Sequence, residues 1–259
     1  MSDLVLRKDV ASTAHLTLNN PAKLNALSDA MIAALHARLE EIAEDESIRV
    51  VILSGSGKAF CAGHDLREMQ AARQSEDGGQ AAWLDLFARC SAMMARIQSL
   101  PQPVIAQAHG IATAAGCQLV ATCDLAVAHI DTKFGVNGVN IGLFCSTPMV
   151  ALSRNIPAKQ AFEMLTTGEF IPASKAVELG LINRTADDPA AEAAALAQQI
   201  ASKLGAAVKI GKRAFYEQLE MTTEDAYTYT GQVMATNMAR DDTDEGITAF
   251  LEKRPPNWD

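Results

Sequence analysis

The sequence predicts an α/β core followed by a helical C-terminal region, and three observations carry that expectation. Val50-Val51-Ile52-Leu53-Ser54 is an unbroken apolar run, the pattern of a strand buried on both faces. The stretch from Val104 to Gly142 passes from an apolar strand through a small-residue turn into a short helix and then a second apolar strand. From Pro189 onward the pattern is almost wholly helical. A composition shift at Asp187-Asp188-Pro189 divides the chain into a core over 1–188 and a helical region over 189–259.

In chain order, Val5–Leu6 and His15–Leu18 read as short strands joined by a turn, the second closed by Asn19-Asn20-Pro21. Ser28 is placed to N-cap a helix whose apolar face carries Met31, Leu35, Leu39 and Ile42. After the strand at 50–54, Gly55-Ser56-Gly57-Lys58 turns the chain and a short helix begins near Asp65. The polar segment Arg73–Gln80 reads as a mobile loop. Ala81–Leu100 reads as a long helix, stopped by Pro101-Gln102-Pro103. Thr147–Arg154, Ala158–Thr167 and Ala173–Leu179 read as helices, with Gly168 and Gly180 as C-caps. Leu181–Arg184 returns as a strand. The helices expected after it are Ala190–Leu204, Ala206–Leu219, Thr223–Arg240 and Thr243–Lys253.

The 49% hydrophobic content supports a substantial core, and the net charge of −9 argues against a nucleic-acid binder. No apolar run approaches a membrane span, and the N-terminus has neither signal nor transit character. Cys61, Cys90, Cys117, Cys123 and Cys145 show no zinc-type pairing and sit among apolar neighbours, as reduced buried thiols of a cytoplasmic protein do. His15, His36 and His129 show no ligand-like spacing with acidic residues, so no metal is expected. His109, before a turn glycine, reads as structural. Small residues at Ala112, Ala114, Ala115 and Gly116 let a ligand approach the backbone where a helix begins, a place where unpaired N–H groups collect. Residues 104–142 therefore read as an oxyanion-binding site.

Several stretches together resemble the crotonase, or enoyl-CoA hydratase/isomerase, superfamily. They are Asn20-Pro21 with Lys23-Leu24-Asn25-Ala26-Leu27, Phe60-Cys61-Ala62-Gly63-His64-Asp65-Leu66, Pro103-Val104-Ile105-Ala106 with His109-Gly110, and Gly116-Cys117-Gln118-Leu119 with Cys123-Asp124. Phe134-Gly135 with Gly142, Leu165-Thr166-Thr167-Gly168 with Gly180-Leu181, and Glu245-Gly246 with Phe250-Leu251-Glu252-Lys253-Arg254 continue the likeness in order along nearly the whole chain. The resemblance implies a spiral of ββα units with a C-terminal helical trimerisation region, assembled as a homotrimer or a dimer of trimers. It implies acyl-CoA thioesters as ligands, with coenzyme A part of the substrate and no separate cofactor. It also implies a thioester enolate held by two backbone N–H groups, here those of His64 and Ala115. Coenzyme A contacts carry over to Lys23, Leu24, Ala26, Ala62, Gly63, His64, Asp65, Leu66 and Arg67, with Phe250 and Lys253 reaching the nucleotide end from a neighbouring subunit.

The chain departs from the superfamily at its two acid–base positions. A hydratase of this kind uses two glutamates; Gln118 stands at the first and Gly138 at the second. Neither side chain ionises, so fast hydration is not expected. Ala112–Gln118 and Gly138–Pro148 resemble one branch, the enoyl-CoA hydratase domain-containing protein 3 type, which lacks both carboxylates as well. Ala62-Gly63-His64-Asp65 is also similar to the methylmalonyl-CoA decarboxylases. Decarboxylation needs no general base, so His64 could act there as a donor. The readings that follow are an enoyl-CoA hydratase/isomerase of weak or altered activity, a decarboxylase or lyase on a malonyl-type thioester, and a non-catalytic acyl-CoA binder. Asn137, Asn140, Ser146 and Thr147 read as turn or cap residues, and Cys117 and Cys145 lack an evident base that would make them nucleophiles.

Overall fold

The computed structural model describes residues 3–258, so Met1 and Ser2 of the N-terminal stretch and Asp259 of the helical region lie outside the described residues. The elements in order are β1 (Val5–Val10), β2 (Thr13–Leu18), α1 (Asp29–Ala43), β3 (Val50–Gly55), α2 (Leu66–Ala72), α3 (Gln80–Ser99), β4 (Val104–Ala108), β5 (Ile111–Thr113), α4 (Ala115–Thr122), β6 (Leu125–His129) and β7 (Lys133–Gly135). A 3₁₀ turn at Asn137–Ile141 leads to α5 (Ser146–Asn155), α6 (Ala158–Thr167), β8 (Ile171–Pro172), α7 (Ala173–Leu179) and β9 (Arg184–Ala186). Four helices close the chain: α8 (Pro189–Ala201), α9 (Gly205–Gln218), α10 (Thr223–Met238) and α11 (Asp241–Glu252).

Two sheets organise the core. The larger has the order β1-β2-β3-β4-β6-β9, parallel except for the β1–β2 hairpin. The smaller has the order β5-β7-β8. Two successive units, β4–β5–α4 and β6–β7–α5, each give one strand to the large sheet and one to the small sheet, the ββα repeat of a crotonase spiral.

The apolar run at β3 is unbroken because each of its faces meets a different helix layer. Val51 and Leu53 join the main core with Met31, Leu35, Leu39 and Ile42 of α1 and Met93 and Ile97 of α3. Val50 and Ile52 face the other way, against Ala193, Leu196 and Ala197 of α8. The first helix of the C-terminal region thus seals the second face of the sheet. Ser28 N-caps α1, its hydroxyl accepting from the Met31 N–H at 3.2 Å, and Gly168 ends α6 in the left-handed conformation at φ 66°.

Several boundaries shift from the sequence reading. β1 runs on to Val10 because its hairpin partner pairs through Thr13. The strand expected at Leu181–Arg184 starts instead at Arg184, since Leu181 and Ile182 are buried in the turn after α7 and Asn183 bonds the Ala126 backbone in both directions. The segment 73–80 is tied to α3: Asp77 accepts from the Gly79 and Ala81 N–H groups at the start of that helix, and the Arg73 guanidinium lies 4.9 Å over the Trp83 ring. The small sheet was not foreseen, because strands of two or three residues carry too little pattern to read.

A buried ionic cluster fastens α9 to this core. The Lys212 ammonium donates to the Ile97 carbonyl (2.8 Å), the Gln102 carbonyl (2.9 Å) and Asp124 Oδ2 (2.6 Å). Asp124 also accepts from the Val104 N–H and the Tyr216 hydroxyl. Burial lowers the Lys212 pKa, and the adjacent Asp124 opposes that shift.

Candidate functional site

The site forms where three loops meet, and an asparagine draws two of them together. Leu24 and Asn25 both take the left-handed conformation, at φ 52° and 53°, which asparagine tolerates better than most residues. The Asn25 side chain is fully buried. Its amide donates to the Ser56, Ala59 and Phe60 carbonyls, and its oxygen accepts from the Asn20 N–H. Two further bonds, Ala62 N–H to the Leu24 carbonyl and Leu27 N–H to the Gly63 carbonyl, complete the seam. It brings Lys23 onto Asp65 at 2.8 Å, while Asp65 N-caps α2 through the Arg67 N–H. Lys23 and the helix cap hold the Asp65 carboxyl below its ordinary pKa.

The third loop carries the turn into α4. Ala114 stands at φ 50°, ψ −121°, a conformation that costs a residue with a Cβ of the order of 1–3 kcal/mol. That turn points the Ala115 N–H, the first of α4, away from any intrahelical acceptor. Gly63, at φ +89°, turns the chain just before His64, and a Cβ added to Gly63 would lie 2.9 Å from the Ala114 Cβ and 3.3 Å from the Ala115 nitrogen. Among the described residues neither the His64 N–H nor the Ala115 N–H makes a hydrogen bond. Both residues border one cavity of about 660 Å³.

Lys23, Leu24, Ala26, Ala62, Asp65, Leu66 and Arg67 border the same cavity, as does Gly138. Gly63 does not border the cavity; it packs against the Ala114–Ala115 turn. Gln118 is buried in α4 but does not border the cavity, and its Oε1 is buried with no partner among the described residues. Phe250, 81% exposed, and Lys253 lie on α11 and its C-cap and do not border the cavity of their own chain. The His64 ring packs edge-on against Phe87 with centroids 5.7 Å apart, its Nδ1 3.4 Å from the Leu27 carbonyl and its Nε2 buried without a partner among the described residues. Burial lowers the His64 pKa and favours the neutral ring, against the opposing pull of the Leu27 carbonyl and Asp29. His109 bonds the Gly57 carbonyl at 2.9 Å.

Gly138 sits in a tight turn, closed by the Leu143 N–H donating to the Gly138 carbonyl at 3.0 Å. A Cβ there would lie 2.3 Å from the Leu143 carbonyl oxygen and 2.8 Å from Cys145 Sγ. Cys145 also borders the cavity. Two features escaped the sequence reading: the stapling role of Asn25, and a 2.7 Å hydrogen bond from the Thr113 hydroxyl to Asn137 Oδ1 across the cavity wall. An asparagine inside a turn was the available signal for the first. The second pairs residues 24 positions apart and leaves no local trace.

A family model described as enoyl-CoA hydratase/isomerase matches residues 8–259. The chain belongs to that family. It is 44% identical over 246 residues to the human enoyl-CoA hydratase domain-containing protein 3, mitochondrial, covering 94% of this chain and 80% of the relative. Among solved structures, an enoyl-CoA hydratase from Mycobacterium smegmatis superposes with a TM-score of 0.94 at 54% identity, covering 99% of each chain. The human enoyl-CoA hydratase domain-containing protein 3 does so with a TM-score of 0.93 at 42% identity, covering 98% of this chain and all of that one.

These relatives correct one expectation. The proteins of rat, mouse, human and Xenopus laevis are all named as mitochondrial, which overturns the cytoplasmic location read from the cysteines. The thiols were a poor guide because all five are buried. Desolvation pushes Cys61 and Cys117 up to about 12 and Cys90 to about 11, so their reduced state follows from packing rather than compartment. No helix among the described residues is long and apolar enough to cross a membrane.

Proposed function

We propose that the chain binds acyl-CoA thioesters and polarises the thioester carbonyl between the His64 and Ala115 N–H groups. One observation carries this: two unengaged backbone donors, each set by an unusual turn, border the same cavity. As negative charge develops on the thioester oxygen, both donors strengthen their bonds. Removing one such donor costs about 3 kcal/mol of barrier lowering. Leu24, Ala26, Ala62 and Leu66 form the wall along which coenzyme A lies. Lys23, steadied by Asp65, and Arg67 supply cationic donors for its phosphates.

Hydration is slow on this reading. Gln118 hydrogen-bonds but takes no proton, and Gly138 offers only backbone. The two losses remove general acid–base terms of roughly 10²–10⁴-fold each, although they need not multiply. Decarboxylation assisted by the His64 ring has less support. The Leu27 carbonyl 3.4 Å from Nδ1 and the burial of the ring favour the neutral tautomer protonated on Nδ1, which leaves Nε2 a lone pair and no proton to offer a departing carboxylate. The reading that remains beside weak hydratase/isomerase activity is a binder whose cavity persists without fast chemistry.

Exposed apolar side chains on the last helices, among them Phe215, Tyr227, Met234, Phe250 and Leu251, suit a homotrimer or a dimer of trimers. That assembly would bring Phe250 and Lys253 to the nucleotide end of a neighbour's ligand.

Calorimetry with saturated, enoyl and malonyl-type CoA esters, run beside turnover assays, tests the proposal. Binding of the esters with little or no hydration is the expected result. Absence of binding by every ester would remove the proposal, and hydration at ordinary enzyme rates would remove the assignment of Gln118 and Gly138. Sedimentation measures the assembly.

A further inference from the structure

The Thr113–Asn137 pair stands beside the donor turn and has no part in the chemistry above. β5 and β7 run parallel with Thr113 opposite Gly135, and the Ala114 N–H donates to the Gly135 carbonyl at 2.9 Å. Two residues beyond that register, Asn137 opens the 3₁₀ turn and borders the cavity. Its Oδ1 is taken by the buried Thr113 hydroxyl at 2.7 Å, which fixes the amide plane. The Nδ2 hydrogens have no acceptor among the described residues. Asn140, on the same turn, is instead spent on the Gly168 carbonyl at the end of α6.

The chemistry of this wall narrows what such a donor can recognise. Residues 134–148 contain no charged side chain, and the cations bordering the cavity, Lys23 and Arg67, come from the loop before α1 and from α2. A carboxylate buried against a lone neutral amide would keep most of its desolvation penalty, whereas a neutral carbonyl oxygen needs one N–H. Thr113, which anchors the amide, is two residues from Ala115, and Asn137 borders the same cavity as the His64 and Ala115 N–H groups.

We propose that Asn137 is a specificity-determining residue, and that it selects acyl thioesters carrying a ketone oxygen on the third carbon. The proposal rests on the acyl-CoA reading of the cavity. The thioester oxygen lies between the His64 and Ala115 N–H groups, and the ketone oxygen, related to it as the second carbonyl of a 1,3-dicarbonyl, accepts from Asn137. Thr113 acts as a positioning residue that keeps the amide nitrogen toward the ligand.

The test is calorimetric titration of the full chain with acetoacetyl-CoA, butyryl-CoA and 3-hydroxybutyryl-CoA, which share one chain length. Acetoacetyl-CoA should bind about tenfold more tightly than butyryl-CoA, the worth of one net hydrogen bond. Asn137→Ala should erase that preference while leaving butyryl-CoA affinity within about twofold. Thr113→Val should reduce the preference by releasing the amide, and it carries the test alone if Asn137→Ala does not fold. Equal affinities in the wild type, a preference that survives in Asn137→Ala, or tighter binding of 3-hydroxybutyryl-CoA than of acetoacetyl-CoA would each overturn the proposal. Butyryl-CoA binding without preference removes only this inference; failure of all three esters to bind removes the acyl-CoA reading with it.

Discussion

Gly138→Ala measures how firmly the turn beneath the second acid–base position is closed. The added methyl would lie 2.3 Å from the Leu143 carbonyl oxygen, a backbone atom that no rotamer change can move aside. Moving the Leu143 peptide would strain the 3.0 Å bond between its N–H and the Gly138 carbonyl, and the Gly142 N–H bond to Val139 beside it. Overpacking of this kind costs about 1–3 kcal/mol, and one lost turn hydrogen bond adds about 1. The sum, about 2–4 kcal/mol, lowers the melting temperature by about 4–16 °C at the roughly 2–4 °C per kcal/mol of a domain this size. Scanning calorimetry of the purified variant reads it directly. The functional corollary is that Gln118→Glu combined with Gly138→Glu does not create a hydratase, because a side chain has no room to leave the backbone at 138. A melting temperature within about 1 °C of wild type for Gly138→Ala, or ordinary hydration of an enoyl-CoA by the double variant, would refute the reasoning, since either requires the turn to open at little cost.

Three further outcomes are expected. Ala114→Gly releases the φ 50° strain at the donor turn and should stabilise the chain by about 1 kcal/mol, read as a higher denaturation midpoint at unchanged slope. Lys212→Met leaves the Asp124 carboxylate and two backbone carbonyls buried without their cation and should cost about 3–5 kcal/mol, against about 1 for Tyr216→Phe, measured by urea unfolding. Gln118→Glu puts an ionisable group at a buried position whose pKa burial must raise. The neutral form is then favoured in the fold and the charged form in the unfolded chain. Stability of this variant relative to wild type should fall as pH rises above about 4.3, by up to about 1.4 kcal/mol per pH unit, until the raised folded pKa is passed. A difference that is flat between pH 4 and 8 would show that residue 118 is solvated.

Elements whose cause is local were legible in the chain. Ser28 caps α1 because a hydroxyl stands one residue before a helical apolar stripe, and Met31, Leu35, Leu39 and Ile42 are buried as that stripe requires. The unbroken Val50–Leu53 run declared a strand covered on both sides. α7 falls on Ala173–Leu179 as read, closed by Gly180 in the left-handed conformation. Features made by distant partners were not legible. β5, β7 and β8 are strands only because they pair with one another, and Asp124 becomes a structural anchor only when Lys212, 88 positions later, reaches it. The location read from the cysteines failed for a related reason, since burial, a tertiary property, sets their reactivity.

The sequence by itself determined the family and the helices and larger-sheet strands that carry a local pattern, because motifs and periodicity are recorded residue by residue. Tertiary structure alone decided which polar atoms meet the cavity. Gln118, read at the first acid–base position, lies buried away from the cavity with its oxygen unpaired among the described residues, whereas Asn137, read as a turn residue, borders it with its oxygen held by Thr113. Side-chain direction depends on how α4, β5 and the 3₁₀ turn pack across one another, and no stretch of sequence contains that packing.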